Sequence, residues 1–424
     1  MSVNQTLQGL RKPEEGRQRV SVVASAYRVA CFVTHPIQYQ APLFRYLAAD
    51  PGIDLTVFFM SSGSVDGYLD PGFKTYVKWD VPLLDGYRHV FLPGAGEQRS
   101  FWKPLVRGIR REIGAGQFDA IWVHGYAHLG LLRAILAAKT LGVKVLLRGD
   151  SQLIGNPGSP ARLRIKRALL PRLFKMIDGF LAVGTRNREY YLSYGVPPER
   201  IFTMPYAVDN HFFREQAAKA ASHREQLRAE MGLDSGRPII LYASKLQALK
   251  RPGDLLEAFA RILSSRTISQ VPYLVFIGDG DERAALESRV RQLPPGSVKF
   301  LGFRNQTELP AFFDLCDVFV LPSGRDAWGL IINEVMNAAR PVIATDCCGA
   351  SPDLIADGVN GFVYPAGDIE ALCDRLVRVL RDPQTARRMG AESRARIARW
   401  DFAADRDGLL NALACITPPS RLST

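Results

Sequence analysis

Two pairs of charged residues carry the strongest chemical suggestion in this 424-residue chain. Lys245 and Lys250 stand in a loop that follows the apolar run 238–243. Two cations so spaced at the end of a strand can bracket a diphosphate and offset charge on a leaving group. Asp326 and Glu334 frame the turn and the helix that follow a second apolar run, 318–321. A strand, a turn and a helix in that order aim backbone N–H groups and the positive end of a helix dipole at an anion. Carboxylates at such a place suit a ligand that carries hydroxyls as well as phosphate, because a carboxylate accepts from two neighbouring ring hydroxyls. One acid could then grip a sugar and the other a ribose, with Glu334 expected about two turns into its helix. Taken singly, each group has an ordinary reading: an acid near a helix start serves the dipole, and a loop lysine is solvated. Both loops in one chain make the combination specific.

His124, after the apolar run 118–123, is a third element. A histidine there either packs as a cap or donates a hydrogen bond to a sugar hydroxyl. His35 and Gln38 follow the first strand, and Arg148 and Asp150 follow the run 143–147. Loops at the carboxyl ends of parallel strands are where open α/β sheets bind ligands, so these four are candidates for an acceptor side.

The elements that must position these residues alternate strand and helix twice over. Strands are expected at 28–34, 55–60, 118–123, 143–147, 179–183 and 201–204, then again at 238–243, 273–277, 298–301, 318–321, 341–345 and 361–364. This is the alternation of two doubly wound parallel sheets. Residues 66–96 read as an irregular acceptor-side wall, rich in Tyr, Trp, Gly and Pro. Residues 217–231 read as one Ala-rich linker helix, and a final helix from Trp400 is expected to cross back to the first half. The resulting division is a disordered tail over 1–27, an acceptor-side domain over 28–212, a second domain over 213–399 that holds both charged pairs, and a returning helix with its tail over 400–424.

Length alone favours two domains over one core. The net charge of +12 points to an anionic partner, either phosphate ligands, a membrane surface or nucleic acid. Between Ala161 and Lys175, Arg162, Arg164, Lys166, Arg167, Arg172 and Lys175 alternate with Leu163, Ile165, Leu169, Leu170, Leu173 and Phe174. Such a segment either lies on an anionic membrane or presents a solvated basic face, and Pro171 should kink a helix there. Six cysteines without zinc-like spacing read as reduced thiols of a cytosolic protein. The first residues hold no apolar stretch of the signal-peptide kind, and no run of about 18 apolar residues spans a membrane. The first strand is not followed by Gly-x-Gly-x-x-Gly, which speaks against a dehydrogenase, and no nucleic-acid reading module is visible.

In these residues the chain resembles the retaining glycosyltransferases of the GT-B fold, of the group 1 (family 4) type, from about Arg28 to Trp400. The family's two acids match Asp326 and Glu334, and its phosphate-loop Arg and Lys match Lys245 and Lys250. Its Gly-Asp-Gly turn matches Gly278-Asp279-Gly280, and its Pro-Asn-Gly-Val-Asp segment is similar to Pro205-Tyr206-Ala207-Val208-Asp209. Its first-domain histidine matches His124, after Asp119, while the usual Gly-rich loop after strand one is replaced by residues 35–40. Asp in place of the first Glu is shorter, and Lys in place of Arg loses the bidentate fork.

The resemblance implies two Rossmann-like domains facing across a cleft. It implies sugar transfer from a UDP- or GDP-linked donor to a saccharide or lipid-linked acceptor, with retention and without metal or other cofactor. Glu334 would hold the ribose, Lys245 and Lys250 the diphosphate, and Phe303 and Arg304 the base. Asp326, with the N–H groups of Ala327–Gly329, would hold the sugar or its phosphate, Trp328, Gly329, Leu330 and Gly278 would belong to the donor site, and His124 would touch the sugar. The setting implied is cell-surface polysaccharide or glycolipid synthesis, cytoplasmic, peripheral on the inner membrane face. Two alternatives stand beside it: a GT-B sugar-nucleotide epimerase, using His35, Asp150 and His124, and a non-catalytic donor-binding membrane scaffold.

Overall fold

The computed structural model describes residues 26–96, 100–154, 160–265, 268 and 270–417. Most of the expected tail lies outside the described residues, and its last residue, Tyr27, already opens the first strand. Short apolar runs buried on both faces form parallel strands, because only a sheet covered by helices on each side hides them from water. The strands are β1 (Tyr27–Val33), β2 (Ile53–Phe59), a small antiparallel hairpin of β3 (Tyr68–Asp70) and β4 (Thr75–Val77), then β5 (Arg88–Phe91), β6 (Ala120–His124), β7 (Lys144–Gly149), β8 (Gly179–Ala182) and β9 (Ile201–Thr203). All but the hairpin join one parallel sheet in the order β5-β2-β1-β6-β7-β8-β9.

The second half repeats the plan with β10 (Ile239–Ala243), β11 (Tyr273–Ile277), β12 (Val298–Phe300), β13 (Val318–Leu321), β14 (Val342–Thr345) and β15 (Gly361–Tyr364). Their order is β12-β11-β10-β13-β14-β15, again all parallel. Each sheet carries a hydrophobic core on both faces. The expected pair of doubly wound sheets is therefore the observed fold. In each sheet the strand order reverses once, between β1 and β6 and between β10 and β13. A crevice opens at such a reversal, at the carboxyl ends of the strands. The loops bearing His35 and His124 flank the first crevice, and those bearing Lys245 and Asp326 flank the second.

The last helix, Phe402–Ile416, returns to the first sheet, where Leu409 and Leu413 join the core under β8 and β9. Asp401 caps it by accepting from Ala404 N at 2.9 Å. Asp405 on this helix meets Arg148 at the end of β7, with Nη2 2.7 Å from Oδ1 and both side chains sealed from solvent.

Three local expectations are corrected. Residues 66–96 contain the β3–β4 hairpin and the edge strand β5. The single helix over 217–231 is two, Asn210–Ala221 and Arg224–Glu230. Asp209 starts the first by accepting from Phe212 N, and Ser222 Oγ closes it by donating to Lys219 O. The basic segment is a helix, Pro160–Phe174, that runs through Pro171. Pro171 sits in its last turn, so the bond that its missing N–H would have made one turn back is lost without ending the helix before Phe174.

Candidate active site

Between the two sheets lies a cavity of about 390 Å³, walled on one side by the loops after β10, β11, β12 and β13. Lys245, Gly278, Phe303, Arg304, Asp326, Gly329, Leu330 and Glu334 all face it. The opposite wall is Gln38 and Tyr39 with Tyr68, Asp70, Phe73 and Trp79 of the hairpin region. A wider recess of about 760 Å³ lies where the chain crosses between the halves, at residues 208–215 and 398–403, away from the loops that carry the site residues singled out from the sequence.

The turn after β13 is held by its neighbours. Asp326 N donates to Cys347 O, Gly349 N donates to Asp326 O, and Cys348 Sγ lies 2.8 Å from Trp328 O. Gly329 has φ of 91°, and a Cβ there would lie 2.7 Å from Cys348 Sγ, so only glycine suits both the turn and the close approach. Trp328 is buried, its indole N–H donating to Asn333 Oδ1 at 2.9 Å, and Asn333 in turn donates to Tyr206 O at 3.0 Å. The Trp328 side chain thus fixes the turn from behind and does not line the cavity, so only its backbone is left for the expected place on the donor. Its indole is too large and apolar to leave in water, and Tyr206 and Trp400 cover it.

The helix after this turn is Ile331–Asn337, so Glu334 sits in its first turn and not two turns in. Glu334 carries the most informative electrostatics of the site. Burial alone pushes its carboxyl from the ordinary 4.5 up to about 8, although the side chain borders the cavity. A carboxyl without a compensating donor is the group that ligand hydroxyls would satisfy.

Both lysines already hold acids. Lys250 Nζ lies 2.5 Å from Asp326 Oδ2. Lys245 Nζ lies 2.9 Å from Asp70 Oδ1, and Asp70 belongs to the hairpin of the other half. The hairpin residues Tyr68, Asp70, Phe73 and Trp79 were not singled out from the sequence. Their aromatic content was visible, but nothing local tells that they reach across a cleft.

His124 does not border the cavity. Its ring stacks on Tyr206 at 6.5 Å and 17°, and Gln40 Nε2 lies 2.9 Å from its Nε2. Burial first, and then the charge of Arg148, lower its pKa to about 3, so the ring is neutral at physiological pH and holds a proton to donate. Gln40 is a further residue of this corner that sequence reasoning passed over.

Of the four acceptor-side candidates, Gln38 lines the cavity and His35 does not, its Nδ1 lying 2.8 Å from Thr34 Oγ1. Asp150 is exposed at the end of β7 and does not line the cavity; surrounding protein raises its carboxyl pKa, and the charge of Asp326 adds to the rise. Gln152 crosses the cleft beside it, donating to Asp326 O at 2.7 Å. Arg148 is corrected. It is 1% exposed, donates to Met204 O, Pro205 O and Asp405, and lies 5.0 Å from the Tyr206 ring centre. An always-charged guanidinium is buried only where acceptors surround it, and here Asp405 and two carbonyls draw it inward.

Comparison with known proteins agrees with this architecture. A family model described as "Glycosyl transferases group 1" matches residues 223–396, and one described as "Glycosyltransferase Family 4" matches residues 42–212. The chain is 33% identical over 218 residues to an alpha-D-kanosaminyltransferase of Streptomyces kanamyceticus, across 50% of this chain and 54% of that relative. It is 29% identical over 170 residues to an N-acetyl-alpha-D-glucosaminyl L-malate synthase of Bacillus anthracis, across 40% of this chain and 43% of that relative. The matches thus span about half the length of these two relatives. A D-inositol 3-phosphate glycosyltransferase 1 of Catenulispora acidiphila is 27% identical over 359 residues, 77% of this chain and 81% of its own. Among solved structures, HepE of Anabaena in complex with UDP superposes with a TM-score of 0.68 at 18% identity, covering 92% of this chain and all 100% of that one. Sucrose-phosphate synthase from Thermosynechococcus elongatus gives 0.66 at 20% identity, covering 92% of this chain and 98% of that one.

Proposed function

Because the chain belongs to the group 1 glycosyl transferases and has their two-domain GT-B fold, we propose that it moves a hexose-type sugar from a nucleoside diphosphate to a saccharide or lipid-linked saccharide, with retention of configuration. The observation that carries this reading is the meeting of Lys245, Phe303, Asp326 and Glu334, from the connections after three different strands, around one cavity between the sheets. Lys245 and Lys250 would bind the diphosphate, Glu334 the ribose hydroxyls, Phe303 and Arg304 the base, and Asp326 the sugar. The complexes of HepE with UDP and UDP-glucose make uracil the first base to try, with guanine second.

In the reaction, the bond between the anomeric carbon and the phosphate oxygen breaks, and its electron pair leaves on that oxygen. The acceptor oxygen bonds to the anomeric carbon from the same face, and its proton passes to the departing phosphate. The lysines stabilise the leaving charge, so the reaction needs no metal. Catalysis is then positioning and electrostatics. Turnover of UDP- and GDP-sugars with sugar acceptors, followed by the anomeric configuration of the product, tests this. Product with the donor's configuration is expected. Inverted product would overturn the retaining step, and epimerised donor would favour an epimerase.

The helix Pro160–Phe174 supports a second element of the reading, contact with an anionic membrane during glycolipid or cell-surface polysaccharide synthesis. It leaves Ile165 58% and Leu169 57% exposed, one turn apart, with Arg164, Arg167 and Arg172 exposed around them. Apolar side chains framed by arginines suit a bilayer interface of negative charge. Among the described residues no helix is long and apolar enough to cross a membrane. Co-sedimentation with phosphatidylglycerol vesicles should fall when Ile165→Asp and Leu169→Asp are combined. Equal binding by that variant would remove this element.

A further inference from the structure

The β3–β4 hairpin belongs to the first half by sequence and to the donor side of the cleft by contact. Asp70, only 7% exposed, accepts from Gly72 N at 2.8 Å and Phe73 N at 3.0 Å with the same Oδ1 that meets Lys245. Its Oδ2 lies 3.1 Å from the same ammonium, so both carboxylate oxygens engage it. Gly72 allows this closeness, because a Cβ there would lie 2.6 Å from Lys245 Cδ. Burial pushes the Asp70 carboxyl up, but Lys245 and the two turn N–H groups together hold it below its usual range. It is therefore an anion at physiological pH. Further along, Phe73 and Trp79 pack edge-on against Phe303 with ring centres at 5.0 Å and 6.2 Å, and Asn305 donates to Lys78 O at 2.6 Å. Lys74 pairs with Asp281, and Thr307 bonds Asp80. The hairpin is thus strapped over the second half by a series of contacts centred on Lys245.

We propose that Asp70 is a built-in counter-ion of the donor site: it holds Lys245 in the place of the donor's diphosphate, and donor binding must displace it. The proposal rests on Lys245 being a diphosphate ligand. A carboxylate in contact with that ammonium and a diphosphate reaching for it would be like charges within a few ångströms in a partly buried site, where water screens them weakly. Asp70 therefore lowers affinity for diphosphates, and sets the donor concentration at which the cleft fills. It has no such effect on a ligand without phosphate.

The test compares the full chain with Asp70→Asn and Asp70→Ser, either of which keeps an oxygen for the turn N–H groups. Calorimetric titrations with UDP, inorganic pyrophosphate and uridine separate charge from shape. Both variants are expected to bind UDP and pyrophosphate roughly tenfold more tightly, the effect of about one opposing charge. Uridine affinity is expected to stay unchanged, and Lys245→Ala to lose the gain. Equal or weaker pyrophosphate binding in the variants, with the wild type binding well, would overturn the counter-ion role alone. So would equal tightening of uridine, which would mean that the hairpin acts by blocking space. A wild type that binds neither UDP, GDP nor pyrophosphate would overturn this proposal together with the donor-site reading beneath it.

Discussion

Replacing Glu334 by glutamine should make the protein more stable, and increasingly so as the pH rises from about 5 to about 8. In the folded chain the carboxyl keeps its proton until about pH 8, whereas its ordinary pKa is 4.5. Between these values the folded state binds a proton that the unfolded state has released, so raising the pH favours unfolding. The penalty is absent below the unfolded value and complete above the folded one. Each tenfold change in proton affinity is worth about 1.4 kcal/mol, which sets a ceiling of about 5 kcal/mol. Glu334 borders the open cavity, so water there reduces the cost to about 1–2 kcal/mol. Glu334→Gln removes the charge while keeping the shape. Melting curves of the two proteins should coincide near pH 5, and the variant should melt higher near pH 9, by an amount that grows through pH 6 to 8. The same carboxyl gives a second readout. Ribose hydroxyls that donate to it would favour its charged form, so nucleotide binding at pH 7 should release a proton, visible as a buffer-dependent heat in calorimetry. A melting difference that is flat across this pH range, or a binding heat independent of buffer, would refute the reasoning.

Two further substitutions probe the site and its support. Lys250→Ala should lower turnover by about 10²-fold or more, as expected for losing one preorganised charge partner, and unaltered turnover would remove it from the mechanism. Arg148→Met should destabilise by about 3–5 kcal/mol, because it leaves Asp405 buried without its cation. Burial pushes the Asp405 carboxyl up to about 7 even with Arg148 opposing, so adding Asp405→Asn should recover part of the loss in a melting assay.

The parallel strands were legible because each is a local signal. A short run such as Val318–Leu321, apolar throughout and closed by Pro322 and Gly324, reads as a buried strand wherever it sits in the fold. The loops after such strands could be named for the same reason, and Lys245, Asp326 and Glu334 do gather at one cavity. Arg148 shows the limit. Its place at a strand end suggests the cleft, yet Asp405, 257 residues away, turns it into the interior. Trp328 likewise lies within a loop of polar chemistry but follows its own bulk behind the turn. The hairpin is the largest omission. Residues 66–96 have weak strand patterning, and what holds β3 and β4 in place is contact with Lys245 and Phe303 across the cleft. Local propensity says little about such a segment, because its order depends on partners far along the chain.

The central claim is that the cavity at Lys245, Asp326 and Glu334 is a nucleotide-sugar site. The most direct measurement is a calorimetric titration of UDP, GDP and ADP, with their glucose conjugates, into the wild type and Glu334→Ala. The account predicts saturable binding of one base in preference to the others, and at least tenfold weaker binding of that nucleotide by the variant, the loss expected for a charge-assisted pair of hydrogen bonds. Binding of equal strength in wild type and variant, or none to any of these nucleotides at millimolar concentration, would contradict it.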